Sequence, residues 1–329
     1  MRRRAQSPAP TRARTPLEPR PRGTLLLLAA ALLLGALLGA GCGAAGGGAP
    51  TGALDVVAST TLLADIAQNV AGDRLQVQPL IPVGTDPHAF EPTPSDLEKV
   101  AGADLVIING AGLEGTLLST VQNAVGGDTT IVDASAGLPT RTPRPGEPAL
   151  ASGEQDPRFW LHPQLVKTYV ANVEQAFSEA DPAGAAEHKA NAAAYDKKLD
   201  ALDAWIGQQV AQVPAAGRKL VTDHASLGYF ADRYRFEVVG TVIPSASTGE
   251  TPTARQLAEL TRAIRRTGAR AIFVVASDNP QLAEQIGSET GVKVVTGLLD
   301  HSLTAADGPA PTYIDMLKYD TRQIVEALK

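Results

Sequence analysis

The sequence predicts an α/β protein of two lobes with mostly parallel sheets, joined by one long rigid helix. Three observations lead there. From Leu54 to Ser135 short β-rich runs alternate with helical ones, and the same alternation resumes at Lys219 and runs to Lys329. Strands separated by helices give parallel sheets covered on both faces. Between the two regions lies "AAEHKANAAAYDKKLDALDAWIGQQVAQV", Ala-rich and without a glycine before Gly207, a helix that would span roughly 40 Å at 1.5 Å per residue.

In chain order, "LDVVAST" reads as a strand. "TLLADIAQNVAG" reads as a helix with Leu62, Leu63, Ile66 and Val70 on one face and Gly72 to stop it. "LQVQPLI" is a strand, "SDLEKVAGA" a short helix begun by Ser95, and "DLVIING" and "TTIVDAS" are two further strands. Residues 138–155, rich in Pro, Gly and Ser, are expected to form a surface loop of the first lobe. "HPQLVKTYVANVEQAFSEAD" is one helix, and the Ala-rich run carries Leu199, Leu202, Trp205, Ile206 and Val210. The second unit holds strands at "KLVT", "FEVVGTVIP", "RAIFVVAS" and "VKVVTGLL". Its helices are "ARQLAELTRAIRRTGA", ended by Gly268, "NPQLAEQIGSETG" and "YIDMLKYDTRQIVEALK". The expected division is residues 54–182 for the first lobe, 183–213 for the connecting helix and 214–329 for the second lobe.

Composition narrows the function. A 329-residue chain that is 44% hydrophobic and 19% charged has enough apolar material for real cores. A net charge of −6 with interspersed acids and bases gives no sign of a nucleic-acid partner, and 4% aromatic content argues against a stacking surface. The N-terminus reads as processing signal. Arg2, Arg3, Arg4, Arg12, Arg14, Arg20 and Arg22 precede the apolar "TLLLLAAALLLGALLGAGC", so residues 1–41 are expected to be a signal peptide. A single-pass anchor is the competing reading, since the run approaches the ~20 residues that span a bilayer. Cys42, the chain's one cysteine, follows small residues as in a bacterial lipobox and precedes the Gly/Ala-rich residues 43–53. Lipidation of Cys42 with a flexible tether over 42–53 accounts for both, and puts the mature chain on the extracytoplasmic face of the membrane.

The five histidines are unevenly placed. His88 lies in the turn-rich "VGTDPHAFEPTPSD", His224 in "VTDHASLGYF" just past a strand, and Asp300 and His301 in "GLLDHSL" after another strand. Ligands of open parallel sheets collect at the carboxyl ends of strands, so three such places with ligand-capable side chains point jointly to a binding site. Of the neighbours Asp300 and His301 only one is expected to enter it, Asp300. His188, between Glu187 and Lys189 on the Ala-rich helix, is expected to be solvated.

The runs "VVASTTLLADIAQNVAGD", "IPVGTDPHAFEPTPSD", "ADLVIINGAGLEGTL", "DPRFWLHPQLV", "TDHASLGYFADRYRF", "PTARQLAELTRAIRRTGARAIFVVAS" and "MLKYDTRQIVEAL" together resemble the cluster A-I metal-binding lipoproteins of ABC importers, which deliver zinc or manganese. The resemblance spans essentially the whole mature chain. It implies two lobes on a rigid helix, a metal ion in the interlobe cleft, a membrane permease as partner and a monomeric protein. Carried over motif by motif, it implies His88, His224 and Asp300 as ligands. The chain departs from the pattern at the second ligand: the family motif has its histidine third in Asp-Pro-His, and here Arg158 stands there. A guanidinium has no lone pair for a metal, so Arg158 is excluded as a ligand. His162, four residues on, is expected to reach the vacated place. The alternative is that it caps the helix opened by Pro163, a role better suited to Ser, Thr, Asp or Asn.

Three imidazoles and one carboxylate would suit Zn²⁺, with Mn²⁺ second because manganese prefers more oxygen donors. The His-rich acidic loop of some zinc members has no counterpart here. No His-Glu-x-x-His run suggests a hydrolase. The other reading is a lipoprotein adhesin or small-organic-ligand binder whose histidines are incidental.

Overall fold

Alternation in the strands decides how the layers stack. In the computed structural model, which describes residues 54–144, 147, 155–245, 248 and 250–329, β3 (Leu105–Ile108) is buried at all four positions. Leu105 and Ile107 point into one apolar cluster, and Val106 and Ile108 into another on the opposite face. That period of two is what a strand covered on both faces requires. β7 (Ala271–Val275) repeats it, with Ala271 and Phe273 on one side and Ile272 and Val274 on the other.

The first sheet contains β1 (Asp55–Ala58), β2 (Gln76–Pro79), β3 and β4 (Thr130–Asp133) in the order β2-β1-β3-β4, all parallel. The second contains β5 (Lys219–Thr222), β6 (Glu237–Thr241), β7 and β8 (Lys293–Leu298) in the order β6-β5-β7-β8, again all parallel. The α/β class and the parallel sheets read from the alternation are therefore present.

Helices α1 (Thr61–Ala71), α2 (Pro94–Ala101) and α3 (Thr116–Ala124) belong to the first sheet, and α6 (Gly228–Tyr234), α7 (Ala254–Thr267) and α8 (Gln281–Thr290) to the second. Thr93, not Ser95, caps α2 through a reciprocal box with Asp96, and Pro94 fills the first turn. Between the sheets run α4 (Pro163–Ala180) and α5 (Ala185–Val210), the 26-residue connecting helix, and α9 (Tyr313–Leu328) closes the chain.

The described residues all fall within one compact unit, Gly52–Lys329. Its largest apolar cluster takes residues from both sheets together with α4, α5 and α9. Cross-lobe hydrogen bonds reinforce it: the Tyr313 amide donates to Asp65 (3.0 Å) and the Leu303 amide to Thr61 Oγ1 (3.0 Å).

Two expectations are corrected. His188 is buried: its ring packs on Phe177 with centroids 5.4 Å apart, Nδ1 lies 3.3 Å from the Val70 carbonyl, and Nε2 pairs with Asp181. Glu187 and Lys189 say nothing of its face, because adjacent helix residues point in different directions. The stripe His188, Ala192, Tyr195, Leu199, Leu202, Ile206 and Val210 is the buried one. Residues 141–144 reach across to the second lobe. The Arg141 amide donates to Tyr229 Oη (3.0 Å), its guanidinium bonds Asp232 (2.9 Å), and Arg144 donates to the Phe236 carbonyl (3.1 Å). Residues 1–53, with the expected signal peptide and Cys42, lie outside the described residues. Among the described residues no helix is long and apolar enough to cross a membrane.

Candidate metal centre

Three strand ends of the second sheet and two loops of the first lobe converge on one buried place. His224 lies two residues past β5, Asp278 three past β7 and Asp300 two past β8. His88 comes from the loop after β2, and Arg158 from the segment that precedes a short 3₁₀ turn at Phe159–Leu161.

Arg158 occupies the centre. Its side chain is fully buried. One terminal nitrogen lies 3.1 Å from His88 Nε2 and 2.8 Å from His224 Nε2, and its Nε lies 3.3 Å from Asp300 Oδ2. The other terminal nitrogen lies 3.4 Å from the Ala225 carbonyl and 3.7 Å from Asp156. A guanidinium only donates, so both Nε2 atoms accept, and the His224 proton sits on Nδ1, facing Asp223 at 3.0 Å.

Each residue is held from behind. The His88 amide donates to Asp86 Oδ1 (2.8 Å), and Asp86 Oδ2 accepts from Thr248. Asp223 accepts from the amides of His224 (2.8 Å) and Val275 (2.7 Å), while Asp278 lies 3.4 Å from His224 Nδ1. Trp160 Nε1 donates to the Asp300 carbonyl, and Tyr313 Oη to the Trp160 carbonyl (2.5 Å).

The two histidines are tuned in opposite directions. Burial, with Arg158 beside it, pushes His88 down to about 3. Burial and the neighbouring Arg158 would depress His224 too, but Asp223 and Asp278, facing Nδ1, raise the basicity of the ring. The same carboxylates make Nε2 a stronger donor to any cation. Asp300, which burial alone would protonate, is kept ionised chiefly by His301 and lies well below the usual carboxylate range. Asp156, deep in the protein, is raised to about 6 by burial against the pull of Arg158.

The structure thus brings His88, His224 and Asp300 together. The expectation for His162 is corrected: it sits at the N-cap of α4, where Nδ1 accepts from the Gln164 amide (3.2 Å). Besides burial, the charges acting on its ring are Arg233, Asp203 and Asp232, none of them in the cleft. An Nδ1 lone pair can serve as a cap like a carboxylate oxygen, and Pro163 fixes the first turn behind it. His301 does not point away. Its Nδ1 pairs with Asp300 and its Nε2 lies 3.0 Å from Ser277 Oγ.

The donor chemistry fits a divalent cation. His224 Nε2 and Asp300 Oδ2 are 3.4 Å apart, close to the ~3.3 Å edge of a tetrahedron with ~2.0 Å bonds. What lies against those donors is a side-chain cation. His224 Nδ1 with Asp223 and Asp278 also forms a tight group on the far side of the same ring.

Residues 56–327 match the family described as ZnuA, zinc-uptake complex component A, periplasmic. The chain belongs to this family. It is 32% identical over 275 residues to the manganese-binding lipoprotein MntA of Halalkalibacterium halodurans, covering 84% of this chain and 88% of the relative. It is also 32% identical over 262 residues to the iron-binding protein YfeA of Yersinia pestis, covering 80% and 82%. The periplasmic zinc-binding protein TroA of Treponema pallidum superposes with a TM-score of 0.76 at 28% identity, over 84% of this chain and 99% of that one. The ZnuA-family relatives thus carry manganese, iron and zinc in their names.

Proposed function

We propose that this chain is an extracytoplasmic solute-binding lipoprotein that captures a divalent transition metal and hands it to an ABC permease. Zinc is the favoured cargo and manganese the second. His88, His224 and Asp300 are the ligands, and the protein performs binding and delivery with no catalytic step. It works as a monomer, tethered to the outer face of the cytoplasmic membrane through Cys42.

The observation that carries this reading is the convergence of His88 Nε2, His224 Nε2 and Asp300 Oδ2 around the Arg158 guanidinium. Two imidazoles and a carboxylate, completed by water, suit Zn²⁺, whereas manganese prefers a richer oxygen set. Because the donors come from both lobes, an ion there would tie the lobes together. Membership of the importer-component family and the lipoprotein names among the relatives support the partner and the location.

The test is isothermal titration of the chelator-treated, full-length protein in detergent with Zn²⁺, Mn²⁺ and Fe²⁺, with elemental analysis of the product. One ion bound per chain is expected, with affinity reduced by several orders of magnitude in His224→Ala. Absence of binding for all three ions would reject the reading.

A further inference from the structure

We propose that Arg158 is a tethered competitor of the metal, a built-in cation that bridges the lobes when no ion is bound and must be displaced for one to enter. This rests on the metal reading above.

The guanidinium touches all three candidate donors, at 3.1, 2.8 and 3.3 Å. A metal bonded to the same lone pairs would lie within a few ångströms of it, and two cations that close repel strongly even at the effective dielectric of a protein interior. The guanidinium and the metal also need the same electron pairs: an Nε2 that accepts from Arg158 has none left for an ion. The two states are therefore mutually exclusive. Full burial of Arg158 keeps water from taking its place at low cost, so metal loading is an exchange of one cation for another. Asp156, buried and 3.7 Å from the guanidinium but outside the donor set, is a carboxylate that can keep the displaced group charged and paired.

A second consequence concerns the lobes. His88 and Arg158 belong to the first lobe, and His224 and Asp300 to the second. The contacts of Arg158 to the latter pair hold the cleft together without a metal, so the closed arrangement alone does not report loading.

The test is titration of Zn²⁺ into the chelator-treated full-length chain and into two variants. Arg158→Met removes the charge and adds only a weak donor; Arg158→His removes the charge and adds an imidazole. Both are expected to bind Zn²⁺ at least ~100-fold more tightly than the unsubstituted chain, roughly 2.8 kcal/mol at 1.4 kcal/mol per tenfold. Unchanged or weaker affinity in both, with the unsubstituted chain binding, would overturn it. Tightening in Arg158→His without Arg158→Met would also overturn it, by showing a regained ligand instead of a removed competitor. If no form binds Zn²⁺ or Mn²⁺, the metal reading itself fails and takes this proposal with it. Should Arg158→Met not fold, Arg158→Gln, uncharged and still able to donate, takes its place with the same outcomes.

Discussion

The two lobes furnish the metal centre unequally. The second lobe brings His224 and Asp300 from rigid strand ends and backs them with Asp223, Asp278 and His301. The first lobe brings His88, half-buried on a loop, and with it Arg158. One half is built to attract a cation and the other carries a cation into it. On the proposed reading, affinity for an incoming ion resides chiefly in the second lobe, while the first lobe sets whether the position is available.

The largest effect expected from breaking this asymmetry is that of Asp300→Ala. It removes the one carboxylate that touches Arg158, His224 and His301 together. Leaving buried charge unpaired costs about 3–5 kcal/mol, so urea unfolding should show that loss and titration should show no ion bound. Next come the two histidines as a pair. His224→Ala should weaken Zn²⁺ binding at least ~10-fold more than His88→Ala, because only His224 has its basicity raised by carboxylates behind it. Equal losses would mean the lobes contribute alike. Asp223→Asn, which leaves every ligand in place, should still weaken binding by roughly 10–100-fold, the usual range for a group that orients a ligating histidine.

The smallest effect is a control away from the cleft. Burial raises Asp65 to about 6, so the folded state holds this proton more tightly than the unfolded chain does. Stability is thus full below the unfolded value and declines as pH rises from roughly 4 to 6. Asp65→Asn should remove that decline, gaining about 1–2 kcal/mol at pH 8 and nothing at pH 4 in urea titrations, with Zn²⁺ affinity unchanged. A gain of equal size at both pH values would show that burial of the charge is not the cause.

Much of the fold was legible because strand and helix runs alternate with clear periods, and β3 and β7 show the two-faced burial their apolar runs imply. The carboxyl ends of strands pointed to His224 and Asp300 without any geometry. What the sequence concealed is local. A proton acceptor before a helix reads the same whether it caps or ligates, and His162 caps. His188 is placed by its spacing to Ala192, Tyr195 and Leu199, a signal that its charged neighbours Glu187 and Lys189 mask. Asp223, Asp278 and Trp160 act on the ligands across 140 residues of chain or from the far side of a ring, relations that only tertiary structure creates. The motif puts Arg158 at the position of the family's second ligand, but its contacts with both histidines and Asp300 are visible only in the tertiary structure.

The central claim, that His88, His224 and Asp300 share one cation, is tested most directly by anomalous scattering from crystals of the protein soaked with Zn²⁺, recorded at the zinc edge. One strong peak is expected about 2.0–2.2 Å from His88 Nε2, His224 Nε2 and an Asp300 oxygen, with the Arg158 guanidinium moved off all three. A peak at His224 Nδ1 between Asp223 and Asp278, or full zinc occupancy with Arg158 still in contact with both histidines, would contradict it.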